Sequence, residues 1–295
     1  MRNFFLTLDL EEWYHLDYLV KYSFDQEDRM LGDLTPFFNL LDKYKIKITV
    51  FVLGELIQEN KKLIREISNR GHEIGVHGWD HELLHKKKID DFVLEISRAK
   101  SELEQLVNRP VIGYRSPCFS LDNDKMNKLK QIGFKYDSSF IQFDEHPLYG
   151  KLDMSGFNLV DDLIYEKEGF YEFELPTYKI LGKSIPISGG GYFRLFPKNT
   201  FKRIWMKYLN LHNNFTFYIH PFELTDKKVP IKDIGLFDKF RFSVGRKGNL
   251  QKLEWFIKRS LSDGFKFDTL SSFINTVEGV EVKQKCNNFD ETVLE

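Results

Sequence analysis

The sequence predicts an α/β fold, a closed or nearly closed β/α barrel, and three observations carry that expectation. Short apolar runs alternate with amphipathic stretches from one end of the chain to the other, which is the pattern of βα units rather than of a sandwich. The units recur at intervals of roughly 20 to 40 residues over about seven strands. No linker rich in Pro, Gly or Ser divides the chain, so one domain over residues 1–278 is expected, followed by a poorly packed tail at 279–295.

The strand candidates are 3–9, 47–53, 72–76, 111–115, 134–138, 172–175 and 215–219, most of them too apolar to leave either face in water. Helices are expected between them, at 55–70, 90–107 and 248–261; in the second, Phe92, Val93, Ile96, Ala99, Leu103 and Leu106 recur at helical spacing. Gly71 and Gly133 stand where a helix must stop. Residues 141–171 read as irregular and polar, an inserted loop or lid.

Composition excludes several function classes. The chain has 295 residues, 42% hydrophobic and 15% aromatic, with apolar surface enough to offset the entropy of folding. Lys plus Arg (43) nearly cancels Asp plus Glu (44), so no field gathers a polyanion, and no nucleic acid partner is expected. Cys118 and Cys286 are too few and too far apart for a disulfide framework. Asp9 interrupts the first apolar run too early for a signal peptide, and no run approaches a transmembrane segment. A cytoplasmic protein is the expectation.

In a β/α barrel the reactive groups gather at the carboxyl ends of the strands. Here those ends read Asp9-Leu10-Glu11-Glu12, then His77-Gly78-Trp79-Asp80-His81, then Arg115-Ser116-Pro117, and finally His220-Pro221. His77 and His81, four apart, would share a face if the segment turned helically, and a carboxylate would complete the two-histidine, one-carboxylate set of catalytic zinc sites. His85 has the same spacing from His81 but precedes three lysines and reads as a solvated residue. Asp9 follows an apolar strand, so it is either paired, with Arg115 as partner, or functional. Glu11 shares the face of Asp9 if strand alternation continues; Glu12 points the other way and is the reserve ligand. His220 leaves the core at the end of Phe217-Tyr218-Ile219, where a proton donor would stand opposite a base.

The motifs Thr7-Leu8-Asp9-Leu10-Glu11-Glu12, His77 to His81, Arg115-Ser116-Pro117-Cys118 and Tyr218-Ile219-His220, in this order and spacing, resemble those of the polysaccharide deacetylases. That is the NodB-homology family, carbohydrate esterase family 4, and the likeness covers about residues 4–260. The stretches Arg70 to Gly75, Gly133 to Ser139, Ser188 to Arg194 and His220 to Leu224 match too, nearest to the branch found with bacterial exopolysaccharide gene clusters. The resemblance implies a (β/α)7-type distorted TIM-like barrel that removes an N-acetyl group from an N-acetylated oligo- or polysaccharide or a lipid-linked sugar. It implies Asp9 as general base, His220 as general acid, Arg115 orienting Asp9, and the Cys118 N–H helping to hold the oxyanion. The implied metal is divalent, Zn2+ first and Co2+, Ni2+ or Mn2+ otherwise, on His77, His81 and Glu11, with Glu12 the alternative because the first motif lacks the usual adjacent aspartates. Trp13, Tyr14, Trp79, Phe119 and Tyr192 flank the motifs and either stack on sugar rings or pack the barrel mouth, Trp79 and Tyr192 being the leading substrate-binding candidates. Gly189-Gly190-Gly191 is either a close approach of backbone to the site or a flexible turn. Two other readings share or lose this machinery: hydrolysis of another amide, such as a formamide or cyclic ureide, or sugar binding without turnover.

Overall fold

The computed structural model describes residues 1–24, 28–143, 148–180, 182–228 and 230–279. The strands, in chain order, are β1 (Arg2–Leu10), β2 (Thr49–Val52), β3 (Glu73–Val76), β4 (Gly113–Tyr114), β5 (Tyr136–Asp137), β6 (Asn158–Asp161), β7 (Ile164–Lys167), β8 (Phe170–Phe173), β9 (Thr177–Ile180), β10 (Lys183–Pro186), β11 (Asn214–Ile219) and β12 (Phe265–Phe267). Seven run parallel in the order β11-β1-β2-β3-β4-β5-β8, and β12 adds beside the start of β1. Each of the seven overlaps one strand candidate of the sequence. The fold is the expected α/β, (β/α)7-type distorted barrel.

The helices are α1 (Thr35–Lys43), α2 (Lys61–Asn69), α3 (Ile89–Val107), α4 (Asn123–Ile132), α5 (Gly190–Leu195), α6 (Lys198–Tyr208), α7 (Leu236–Ser243) and α8 (Asn249–Ser262), with a further helix at 270–279. α3 turns Phe92, Ile96, Ala99 and Leu103 inward at helical spacing. α4 ends on Gly133, whose φ of +93° only glycine adopts without strain.

β1 is central because every residue from Asn3 to Leu10 is buried, so it is covered on both faces. Beside it Phe4, Phe215, Phe217, Trp205 and Phe256 interlock, with Phe256 edge-on to Phe4 at 5.4 Å and to Trp205 at 4.8 Å. Edge-to-face contacts of this kind add to the stabilisation from area burial.

Residues 141–171 depart from the irregular lid expected. Their second half is regular: β6 and β7 form an antiparallel hairpin that extends the sheet from β8. The turn of that hairpin reaches the opposite end of the sheet. Asp162 accepts from the Asn213 and Asn214 backbone N–H at 2.7 and 3.3 Å, and its other oxygen lies 2.9 Å from His212 Nδ1. Side chains, rather than a ladder, thus join β6 to the start of β11. The tail from residue 280, with Cys286, lies outside the described residues.

Candidate active site

β1 delivers Asp9, and Glu11 just beyond it, into a cavity of about 500 Å³ that His77, His81, Cys118 and His220 also line. Four strand ends therefore meet there, as the motifs imply.

His77 follows β3 and is fixed first. Its Nδ1 lies 3.0 Å from the Arg115 carbonyl oxygen, and burial pulls its pKa down to about 4. A neutral ring donating from Nδ1 presents the Nε2 lone pair to the cavity, the arrangement a metal-binding histidine needs. His81 reaches the same place by a route the sequence did not show. The segment is not a helix; it is a bent loop with φ of +83° at Gly78 and +59° at His81. Gly78 is required, since a Cβ there would lie 2.8 Å from Pro117 Cγ. The two imidazoles are brought together by this bend, not by the helical turn that the spacing of four would need to put them on one face.

Glu11 completes the cluster. Its Oε2 lies 2.8 Å from His81 Nε2 and 3.7 Å from His77 Nε2. Burial pushes the Glu11 carboxyl up, but His81, His220 and His77 together hold it well below the usual carboxylate range. Burial likewise opposes charge on His81, and Glu11 outweighs it, raising the His81 pKa. Although crowded, the buried Oε2 has no donor aligned on it in a hydrogen bond. Three ligand atoms within 4.8 Å of one another, without satisfying each other, fit a cation held by two imidazoles and a carboxylate. Glu12, the reserve ligand, is already occupied: its side chain accepts from Met30 N at 2.8 Å and Leu31 N at 3.3 Å, on the other side of the chain. Strand alternation persists one residue past β1.

Asp9 is paired and also faces the cavity. Arg115, fully buried, donates to Asp9 Oδ1 at 2.9 Å, Thr7 Oγ1 at 2.6 Å, Ser138 Oγ at 2.8 Å and the Ser138 carbonyl at 2.9 Å, and stacks over Phe51. One Asp9 oxygen is thereby held; the other, Oδ2, lies 3.9 Å from His220 Nε2. Behind Ser138, Asp137 and Glu172 are both fully buried and both accept from Ser139 N, at 2.9 and 3.0 Å. Burial raises both carboxyls, Asp137 to about 6 and Glu172 well above its ordinary value, and a shared proton accommodates two carboxylates so placed.

His220 lies 3.7 Å from Glu11 Oε1 through Nε2, and its Nδ1 is 3.0 Å from Glu223 Oε2. Arg194 donates to the other Glu223 oxygen at 2.6 Å and to the carbonyls of Arg241, Phe242 and Val244. Burial opposes the His220 charge, but Glu223, Glu11 and Asp9 raise its pKa to about 9. Burial would raise Glu223, and His220 and Arg194 instead bring it to about 2. Neither Glu223 nor Arg194 received a role from the sequence. The signal was present in His220-Pro221-Phe222-Glu223, an acid three residues after the residue that opens a helical turn, the spacing of a capping box.

Cys118 and Phe119 line the cavity from a sharp turn, with φ of +50° and +53°. Non-glycine residues held there carry backbone strain of roughly 1–3 kcal/mol each, and such strain collects at functional sites. The free thiol is half-buried, and its desolvation pushes its pKa up. Tyr192 also lines the cavity; Trp79 does not. The reading of Trp79 as a sugar platform is corrected: its ring packs under Gly54, where a Cβ would fall 2.4 Å from it, and Arg98 covers it at 4.3 Å. Trp13 is fully buried among Tyr14, Phe24 and Phe242, so it and Tyr14 pack the mouth. His85 is exposed. The glycine turn is a close approach: a Cβ on Gly189, at φ +136°, would lie 1.9 Å from the Tyr218 carbonyl oxygen. No helix among the described residues is long and apolar enough to cross a membrane.

Residues 19–136 match the polysaccharide deacetylase family, and residues 138–275 match a domain of unknown function, DUF3473. A peptidoglycan deacetylase of Helicobacter pylori is 30% identical over 113 residues, 37% of this chain and 38% of that protein. A peptidoglycan-N-acetylglucosamine deacetylase of Bacillus cereus is 27% identical over 33% of this chain and 45% of its own length. The chain thus spans less than half the length of these curated relatives. Among solved structures, a Mycobacterium smegmatis protein assigned to the polysaccharide deacetylases superposes with a TM-score of 0.63 at 17% identity, covering 95% of this chain and 92% of its own. A family 4 carbohydrate esterase pseudoenzyme from Bacillus anthracis gives 0.54 at 12% identity, over 93% of this chain and 66% of its own. At these identities the structural likenesses speak for the fold.

Proposed function

We propose that this chain, whose residues 19–136 match the polysaccharide deacetylase family, hydrolyses the N-acetyl group of an N-acetylated sugar, in a polysaccharide or its precursor, to acetate and a free amine. The observation that carries this reading is the meeting, in one cavity, of the Glu11, His77, His81 cluster with an Arg115-held Asp9 and a Glu223-held His220. Glu11, His77 and His81 would hold a divalent cation, zinc first, which when bound polarises a carbonyl and acidifies water.

The chain's own residues divide the proton work. Arg115 occupies Asp9 Oδ1, so Oδ2 is the oxygen left to take a proton from the attacking water. His220, charged through Glu223, stands across from it and gives its Nε2 proton to the departing amine. Arg194 keeps Glu223 ionised and in place. The Cys118 backbone N–H, in a turn with positive φ at the cavity wall, would donate to the developing oxyanion. The Cys118 thiol stays protonated and takes no part. Tyr192 and Phe119 offer the cavity wall on which a sugar ring stacks.

The test is acetate release from N-acetylglucosamine oligomers by the zinc-loaded protein, with and without a chelator. Chelator-sensitive release supports the proposal. Metal-loaded protein that releases acetate from no N-acetylated oligomer would overturn it and leave the sugar-binding reading.

A further inference from the structure

α7 presents two opposed faces. Asp238 and Phe242 turn inward, with Asp238 held by Lys21 at 2.6 Å and Tyr22 at 2.8 Å. Leu236, Phe237 and Phe240 turn outward, 87%, 72% and 56% exposed. Three large apolar side chains contiguous on one short helix are unusual on a water-facing surface. Phe237 and Phe240 are also lip residues of the catalytic cavity, as is the half-exposed Leu195 of α5. The apolar ridge therefore stands at the mouth of the site.

The chain on either side of the ridge is basic, although the exposed Asp17 also lines the cavity mouth. Lys228, Lys232, Lys239 and Lys247 are exposed, and none has a carboxylate at ion-pair distance among the described residues. Only Asp226 and Asp233 are exposed acids in the same stretch, in a chain whose formal charge is -1 overall. Exposed apolar side chains on a helix whose own Lys239 and flanking Lys228, Lys232 and Lys247 are exposed match the chemistry of an interfacial helix, with the ridge among acyl chains and lysines among anionic headgroups. A second copy of the chain fits less well, because a two-fold contact through the ridge would bring the Lys239 side chains and the basic flanks of α7 together.

We propose that α7 docks the mouth of the cavity on an anionic phospholipid bilayer. Combined with the deacetylase reading, on which this part alone rests, the substrate class is a sugar held at a lipid surface.

The test is co-sedimentation of the full chain with vesicles of phosphatidylcholine, with and without phosphatidylglycerol, at low and high salt. Binding to the anionic vesicles that weakens with salt is expected. The double variant Leu236→Glu, Lys239→Glu touches two exposed residues outside the cavity wall and should bind at least tenfold more weakly, while releasing acetate from soluble oligomers at the native rate. Leu211→Glu, exposed in the turn between α6 and β11, should bind as the native chain does. Absence of vesicle binding at low salt, binding indifferent to the double variant, or a ridge-dependent dimer in sedimentation velocity overturns the proposal. So does binding that emerges only when residues 280–295 are removed, which would make that net acidic segment the occupant. Vesicle binding without acetate release would fault the deacetylase reading alone; acetate release without vesicle binding, this one alone.

Discussion

Asp9→Asn and Arg115→Met break the same buried pair from its two ends, and the structure predicts opposite signatures. Asparagine keeps an oxygen for Arg115 Nη1, and Arg115 retains Thr7, both Ser138 contacts and the Phe51 face. What is lost is the charge on one hydrogen bond, about 1–2 kcal/mol, partly offset because an ionised carboxylate no longer needs burying. Methionine at 115 removes all four hydrogen bonds and leaves Asp9, 2% exposed, without its cation. Removing one partner of a buried pair costs about 3–5 kcal/mol. At about 2–4 °C per kcal/mol for a chain of this size, Arg115→Met should melt roughly 10 °C below the native protein and Asp9→Asn within about 4 °C of it. Asp9→Asn should nonetheless lose at least about 10³-fold in kcat, since the amide cannot take a proton. Calorimetric melting and acetate release on the same preparations read both quantities. An Asp9→Asn variant with native turnover, or an Arg115→Met variant with native stability, refutes this account of the pair.

Three other outcomes follow from named contacts. Glu223→Gln removes the strongest support for the charge on His220; an essential acid works only below its pKa, so the alkaline limb of the pH–rate profile should move to lower pH, and a limb that stays in place contradicts the assignment. Asp137 and Glu172 have carboxyls raised by burial, so the folded state keeps protons the unfolded chain has released, and stability should fall as pH rises through about 6; Glu172→Gln should flatten that dependence in urea titrations over this range. Gly189→Ala should cost several times more stability than Gly133→Ala, about 1 kcal/mol, because both need positive φ but only the first drives a Cβ into backbone; equal costs would mean the Tyr218 contact yields.

Of the seven parallel strands, β1, β2 and β11 were the most legible because burial on both faces writes them as near-continuous apolar runs, whereas β3, β4, β5 and β8 are shorter or broken by Glu, Gly or Asp. β6 and β7 were not legible: they are mostly exposed or half-buried, and Leu159-Val160 and Ile164-Tyr165 are apolar pairs cut short by acids, too brief to read as strands. α1 and α4 to α7 are short, and their apolar faces merged with neighbouring runs. In the site, residue types at strand ends named Asp9, Glu11, His77, His81, Arg115 and His220, since polar groups following apolar strands have few structural uses, while Cys118 came only from the family resemblance. Trp79 misled because adjacency in sequence says nothing of direction, and its neighbours Gly54 and Arg98 lie far away along the chain. Glu223 and Arg194 stood inside recognisable motifs, yet their pairing spans 29 residues, and Asp137 with Glu172 spans 35; such couplings exist only after folding.

Zinc titration of chelator-stripped protein by calorimetry tests the central claim most directly, that Glu11, His77 and His81 form a metal site. One equivalent should bind tightly to the native chain and to Asp9→Asn, with tenfold to a hundredfold or greater weakening in His77→Ala and Glu11→Gln, and no change in Glu12→Gln. Native affinity in His77→Ala, or loss of binding in Glu12→Gln with Glu11→Gln unaffected, would contradict it.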